Sequence, residues 1–582
     1  MDYGSLWTIP PASDEIPVDL MDLERSQLHG LFRQTWAVSE TERSIICYLP
    51  DGFCHNNRAV IAVPPSDADP VAFLSGSGLG ELADRDKLLV CLLEPIDGHW
   101  DASGRDAAFM NAAYKKVQSR EYFVVMQDCI YAMGFGDGAD VAQEAARIMT
   151  SEWSGLATFG DFSNTLFQNS AIAVAADVGT QSEEMYISGK QAQLPVWILL
   201  SQETSVAKRV VDYWNKENHV QPRPMYDAAG TRIYMPAPIK NTWKTNDDNI
   251  AQTRISTNFR MPDLSFELLS QVWEYVGAAR RHRSYGDKIL RYFRDPLKHG
   301  ATYHTMVVDG MKREWYEYVP EKVLREKRPA PLVCVFHGRG GNGETFFDIT
   351  DMSLVAEERG FIAVFPTADI YQIRKGGFRG VRLWNGNQNG KPFDSLPFVR
   401  AMIADVEARC PVDQGRIYAC GQSSGGFMST YCALAASDLF AAVAPWSGLT
   451  LPDDRAGDFQ YRKDTAFDYG CVPIQLLIGK QDNFFGTDSA WPLDEQYLLH
   501  RFIQYIINEF GLREEPQQYS CHPIDYYIWY NRKSTPMLVI GLVSDMPHAN
   551  YPEESWISYD QFLCKFRKGE SGKRYYMGQP ID

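Results

Sequence analysis

Arg416-Ile417-Tyr418-Ala419-Cys420-Gly421-Gln422-Ser423-Ser424-Gly425-Gly426-Phe427 is the stretch on which the reading of this chain turns. Ile417 to Cys420 is a short continuous apolar run, as expected of a strand covered on both faces, and residues 427–436 have the period of a helix. Between them lies G-x-S-x-G, a sequence that gains meaning from this strand, turn and helix context. The turn forces its central residue into a strained conformation, and glycines flank it because side chains there would strike the adjoining strand and helix. Ser423 then stands at a helix N-terminus, where the macrodipole favours developing negative charge.

Working outward, the same plan occurs twice. Ile130-Tyr131-Ala132-Met133-Gly134 answers Ile417-Tyr418-Ala419-Cys420-Gly421, and Ala59-Val60-Ile61-Ala62-Val63 answers Leu332-Val333-Cys334-Val335-Phe336. The runs at 34–50, 88–93 and 194–200 find counterparts at 304–320, 361–365 and 472–478, in the same order. Helix-period stretches such as 398–406 separate the apolar runs, and each half ends in an amphipathic segment, 268–279 and 556–566. Alternating strands and helices predict two tandem α/β domains, each a mostly parallel sheet flanked by helices, spanning residues 1–300 and 301–582.

A nucleophilic serine needs a base and a group to orient that base, following it in the order serine, acid, histidine. Downstream of Ser423 the histidines are His500, His522 and His548. His500 lies in a helix-like run and His522 in a turn-like segment. His548 follows the apolar run 537–543 and precedes the last helix, a loop from which a base can reach the sheet edge, so it is the favoured base. Asp482 ends Gly479-Lys480-Gln481-Asp482 just beyond the run 474–478 and is the favoured acid, with Asp488, Asp494 and Asp545 as fallbacks. The oxyanion donors are expected to be the backbone N–H groups of Ser424 and of Arg339, the latter in His337-Gly338-Arg339-Gly340-Gly341-Asn342. His337 reads as a structural residue of that loop. Gln422, Trp384 and Trp446 are the candidate pocket side chains.

The first half lacks this chemistry. At its elbow, Gly134-Phe135-Gly136-Asp137-Gly138, Gly136 takes the place of Ser423 and Asp137 is one residue out of register. Thr204 falls opposite Asp482, Asn258 falls near the place of His548, and Pro64-Pro65 replaces His337-Gly338. A non-catalytic domain is expected there.

Of the 582 residues, 45% are hydrophobic and 23% charged, which suits domains with a sizeable core and excludes collagenous or disordered chains. Lys and Arg number 57 against 74 Asp and Glu, and the net charge of −17 repels phosphate backbones and anionic membranes. Neither nucleic acid nor membrane is therefore expected as a partner; the basic run Arg280-Arg281-His282-Arg283 is expected to be a solvated helix end. Residues 1–20 lack a secretory pattern, and the 11 scattered cysteines suit reduced core thiols, so a cytoplasmic location is expected. Glu344 stands where a Walker A loop needs lysine, and no metal-ligand spacing occurs; no cofactor or metal is expected.

Residues 301–582 resemble the poly(3-hydroxybutyrate) depolymerase-like esterases, which are similar to feruloyl and acetyl xylan esterases of the α/β-hydrolase superfamily. The resemblance rests on Ala330-Pro331-Leu332 through Asn342, Arg359-Gly360-Phe361, Trp384-Asn385, Val412-Asp413-Gln414-Gly415-Arg416 running into Gly421 to Gly426, and the acid and histidine loops. It implies two α/β-hydrolase-like domains, the first degenerate. It also implies a serine carboxylester hydrolase acting through an acyl-enzyme on a small or polymer-derived ester of hydroxyalkanoate, feruloyl or acetyl type. A serine peptidase or acyltransferase would use the same triad, and a non-catalytic scaffold is the rival from another class. A homo-oligomer is left open.

Overall fold

The computed structural model describes residues 2–10, 19, 21–22, 25–101, 104–119, 122–168, 192–237, 248–282, 289–372, 380–384, 394–451, 471–482, 497–544 and 546–581. Arg283, Asn385 and the fallback acids Asp488, Asp494 and Asp545 lie outside them.

Two ten-stranded sheets follow one another along the chain. The first contains Gly30–Val38 (β1), Thr41–Leu49 (β2), Asn57–Val63 (β3), Leu89–Leu93 (β4), Val125–Phe135 (β5), Gly155–Phe159 (β6), Val196–Leu199 (β7), Met225–Tyr226 (β8), Arg232–Tyr234 (β9) and Thr253–Ser256 (β10). The second contains Thr302–Val308 (β11), Met311–Tyr318 (β12), Ala330–Phe336 (β13), Ile362–Pro366 (β14), Val412–Gln422 (β15), Ala442–Trp446 (β16), Ile474–Gly479 (β17), Gln517–Cys521 (β18), Ile524–Tyr530 (β19) and Pro536–Val543 (β20). Their orders, β1-β2-β4-β3-β5-β6-β7-β10-β9-β8 and β11-β12-β14-β13-β15-β16-β17-β20-β19-β18, are identical. Each is an α/β-hydrolase-like sheet, parallel in its centre with antiparallel margins.

The correspondence extends to register. Ala59 pairs with Ile130 as Leu332 pairs with Ile417, and both ladders shift at the preceding step, between Asn57 and Ala59 and between Ala330 and Leu332. Along β13, Leu332, Cys334 and Phe336 enter one core cluster while Val333 and Val335 enter another. The central strands are thus buried on both faces, which is why they read as unbroken apolar runs rather than alternating ones.

The basic run departs from its expected place. The last helix of the first half, Phe266–Val276, stops at Gly277, and Ala279–His282 instead pairs antiparallel with Ile289–Tyr292. Arg280, Arg281 and His282 are all buried rather than solvated. Full burial is tolerated because partners are supplied: the Arg281 guanidinium donates to the carbonyls of Thr150 (2.8 Å), Trp153 (2.9 Å) and Gln193, and Arg280 pairs with Asp348 at 2.5 Å. Among the described residues no helix is long and apolar enough to cross a membrane.

Candidate active site

Ser423 sits between β15 and the helix Ser424–Ala435 at φ 55° and ψ −113°, a region that costs a non-glycine residue about 1–3 kcal/mol. Its surroundings over-determine this conformation. The Ser423 N–H donates to the Trp446 carbonyl at 2.9 Å, and the flanking glycines are needed for close approach. A Cβ on Gly425 would lie 1.9 Å from the Phe336 carbonyl oxygen, and one on Gly448 would lie 2.1 Å from that of Ser423. Gly448 escapes a sequence reading because its contact joins segments from neighbouring strands.

The structure brings together the three residues chosen from the sequence. His548 Nε2 lies 2.8 Å from Ser423 Oγ, and His548 Nδ1 lies 2.9 Å from Asp482 Oδ2. Asp482 is fully buried, whereas the His548 side chain keeps 31% exposure, so the acid is shielded and the base remains reachable. Serine, acid and histidine follow β15, β17 and β20, at the carboxyl ends of parallel strands. The acid and histidine loops are tied by the Lys480 N–H to Val543 (2.8 Å) and Gln481 N–H to Met546 (3.0 Å) carbonyl bonds. Gly479 permits this, since a Cβ there would meet the Met546 carbonyl oxygen at 1.9 Å. Chemically, Nε2 can take the Oγ proton while Asp482 holds Nδ1–H and stabilises the resulting imidazolium. Of the other histidines, His500 is part of the helix Leu498–Phe510 and His522 is exposed in the turn between β18 and β19.

Ser424 opens its helix, so its N–H is one of the donors left without an intrahelical partner. The loop carrying Arg339 is shaped by His337, which donates from Nδ1 to the Gly338 carbonyl at 2.6 Å and accepts the Ala368 N–H at Nε2, 2.9 Å away. Burial pushes the His337 pKa down to about 3, so it is a neutral brace rather than a base. Trp384 and Trp446 correct the pocket expectation, because both are fully buried. The Trp384 indole N–H donates to the His337 carbonyl at 2.9 Å, its backbone N–H meets Ser424 Oγ at 3.0 Å, and the Trp446 indole donates to Ser558 Oγ at 2.9 Å. They hold the site from behind. Gln422 is half-buried, with its Oε1 against the backbone of Gly338, where a Cβ would come within 2.3 Å of it.

Behind the histidine loop, the helix Glu553–Gln561 carries the fully buried Glu554. Its Oε2 accepts the Tyr551 N–H at 3.2 Å, and its Oε1 meets no partner among the described residues. Burial, reinforced by neighbouring Glu553, raises its pKa well above the usual carboxylate value. A raised acid pKa means the folded state holds the proton more tightly, so this group's stabilising contribution is full at low pH and declines as pH rises above the unfolded value of about 4.5. Glu554→Gln should therefore match the wild type in urea unfolding near about pH 4 and exceed it near about pH 8. Equal stability gaps at both pH values would refute a neutral buried carboxyl.

The first half repeats the elbow without its reactive group. Gly136, at φ 58°, donates its N–H to the Phe159 carbonyl at 2.8 Å, mirroring Ser423 and Trp446. Asp137 Oδ1 accepts the Ser66 N–H at 2.9 Å, and Thr204 Oγ1 caps the helix Ser205–Glu217. Asn258 needs correction: Ser256 pairs with Leu199 as Gly541 pairs with Leu477, which places Asn258 opposite Val543 rather than His548. The segment 257–265, which fills the role of the histidine loop, contains no histidine.

Residues 315–457 match the family described as Esterase PHB depolymerase. The matched segment lies within the second half of the chain. The matched segment includes the 337–342 loop and Ser423 but ends before Asp482 and His548. Feruloyl esterase B of Neurospora crassa is 32% identical over 139 residues, covering 23% of this chain and 43% of that protein. Feruloyl esterase B of Talaromyces funiculosus is 30% identical over 136 residues, covering 23% and 36%. The chain thus spans less than half the length of these curated relatives. Among solved structures, an acetyl xylan esterase from Aspergillus awamori aligns with TM-score 0.33 and 16% identity, over 45% of this chain and 99% of that one. Among the described residues, no group of three or more His, Cys, Asp or Glu could hold a metal ion.

Proposed function

We propose that residues 301–582 form a serine carboxylester hydrolase acting through an acyl-enzyme, and that residues 1–300 form a non-catalytic companion domain. The observation that carries the reading is the continuous chain from Ser423 Oγ through His548 to Asp482, at 2.8 and 2.9 Å, on a serine held in a strained turn. In the first step His548 Nε2 takes the Oγ proton as Ser423 attacks the ester carbonyl. The Ser424 and Arg339 amides stabilise the oxyanion, and the imidazolium returns the proton to the leaving alcohol. Water, deprotonated by the same imidazole, then releases the acid and regenerates Ser423.

Ester chemistry is supported by the esterase family model that residues 315–457 match, and a feruloyl or hydroxyalkanoate acyl group by the names of that family and of the similar curated proteins. The test is turnover of p-nitrophenyl acetate, methyl ferulate and a 3-hydroxybutyrate dimer beside the anilide of each acyl group, with and without added alcohol acceptor. At least one ester should be hydrolysed with its anilide untouched, and a sulfonyl fluoride should attach to the peptide bearing Ser423. Anilide cleavage at the ester rate would replace this reading with a peptidase, and transfer outpacing hydrolysis with an acyltransferase.

A further inference from the structure

The link between the two halves reaches the oxyanion loop through one short helix. That loop, residues 337–342, runs directly into Gly343–Ile349, a helix only about 10 Å long at 1.5 Å per residue. Its start is pinned: Asn342 Oδ1 accepts the Thr345 N–H at 2.8 Å, and the Gly343 N–H donates to Thr367 Oγ1 at 3.0 Å. A Cβ on Gly343 would meet the Phe365 carbonyl oxygen at 2.1 Å, so the helix is seated on the end of β14.

Its other end is gripped from the link. His282 Nε2 lies 3.0 Å from the Ile349 carbonyl oxygen, and the Arg294 guanidinium donates to the carbonyls of Phe347 (3.0 Å) and Thr350. Asp348, on the same turn, takes the Arg280 guanidinium on Oδ2 and the Arg294 N–H, at 2.7 Å, on Oδ1. The alternation of a strand explains why three successive polar residues are used. Arg281 turns to the first half, binding carbonyls of Thr150, Trp153 and Gln193, while Arg280 and His282 turn to the second. The ribbon is thus a two-sided clamp. Carbonyls at a helix C-terminus lack intrahelical donors; here the first half supplies donors to those of Phe347, Ile349 and Thr350, while Thr350 Oγ1 donates to that of Phe346 at 2.7 Å.

We propose that this clamp, through His282, Arg280 and Arg294, positions the loop that bears the Arg339 amide, making the non-catalytic half a positioning element for the reaction of the other. The inference rests on the esterase reading above. An oxyanion donor displaced by a fraction of an ångström binds the substrate as before but stabilises the transition state less, so the effect belongs in kcat rather than KM.

The experiment uses full-length protein, p-nitrophenyl acetate, and active-site titration with a sulfonyl fluoride to count reactive serines. His282→Ala and Arg294→Ala should each lower kcat per titrated site by about tenfold to a hundredfold with KM within about twofold. His282→Gln and Arg294→Lys, which keep a donor, should recover most of it. A fall in the number of titratable sites with kcat per site unchanged would show a purely structural role and overturn the proposal. So would variants that equal the wild type. A wild type without turnover would remove the esterase reading and this inference together, which separates the two failures.

Discussion

Ser423→Ala is expected to abolish practical turnover, lowering kcat for an activated ester by about 10⁴-fold to 10⁶-fold while the protein remains folded. The magnitude follows from what is lost and what is kept. Removing Oγ removes the covalent path, since His548 then faces no nucleophile at 2.8 Å. The Ser424 and Arg339 amides stay in place, so a residual rate above the uncatalysed reaction should persist. Alanine also carries the unusual φ of 55° at that turn, and the turn's glycine contacts are untouched, so thermal unfolding should change little. The measurement is kcat by stopped assay with a melting curve on the same sample. A variant retaining a tenth of wild-type kcat would eliminate Ser423 as the nucleophile.

Asp482→Asn should cost about 10⁴-fold in kcat, through proton placement rather than geometry. The amide is nearly isosteric with the carboxylate and keeps the loop bond from the Asp482 N–H to the Gly479 carbonyl at 3.1 Å. Facing His548 Nδ1, however, its NH₂ can donate to the ring, which places the imidazole proton on Nε2 and leaves no lone pair for Ser423. Deprotonated Ser423 would also face an imidazolium without its buried counter-charge, a group here fully shielded from water. The signature is a kcat loss with little change in KM, partly relieved as pH rises and hydroxide takes over proton removal. A loss under about tenfold would mean that another carboxylate orients His548.

The first half has the same strand order as the second without the serine, acid and histidine at the matching places. Gly136 has the positive φ and the bond to Phe159 that mirror Ser423 and Trp446, so the turn needed by the sheet forms without a hydroxyl there. Thr204, at the acid position, caps a helix instead, and β10 is followed by a segment without histidine. Architecture is set by strand order and backbone packing, and neither depends on the three side chains that catalysis requires.

Much of this protein was legible in its residues alone. Both sheets and the repetition of their elements along the chain follow from short apolar runs recurring in the same sequence order, because a strand buried on both faces admits little else, whereas the order of strands within each sheet came from the structure. Ser423, Asp482 and His548 were legible for a related reason: each follows an apolar strand run directly, and the ends of adjacent parallel strands are close in space wherever the sheet forms. Three further matters were decided by tertiary structure. Trp384 and Trp446 resemble pocket aromatics in sequence, but their indole N–H groups are taken by His337 and Ser558, contacts 47 and 112 residues apart that no local pattern encodes. Asn258 could be set against its true counterpart, Val543, only once ladder register fixed the alignment across loops of unequal length. Arg280, Arg281 and His282 carry the composition of a solvated surface, and local propensity offers no reason to bury them. Their burial depends on carbonyls and a carboxylate brought from both halves at once, because a cation leaves water only where partners from elsewhere in the chain replace the water it gives up.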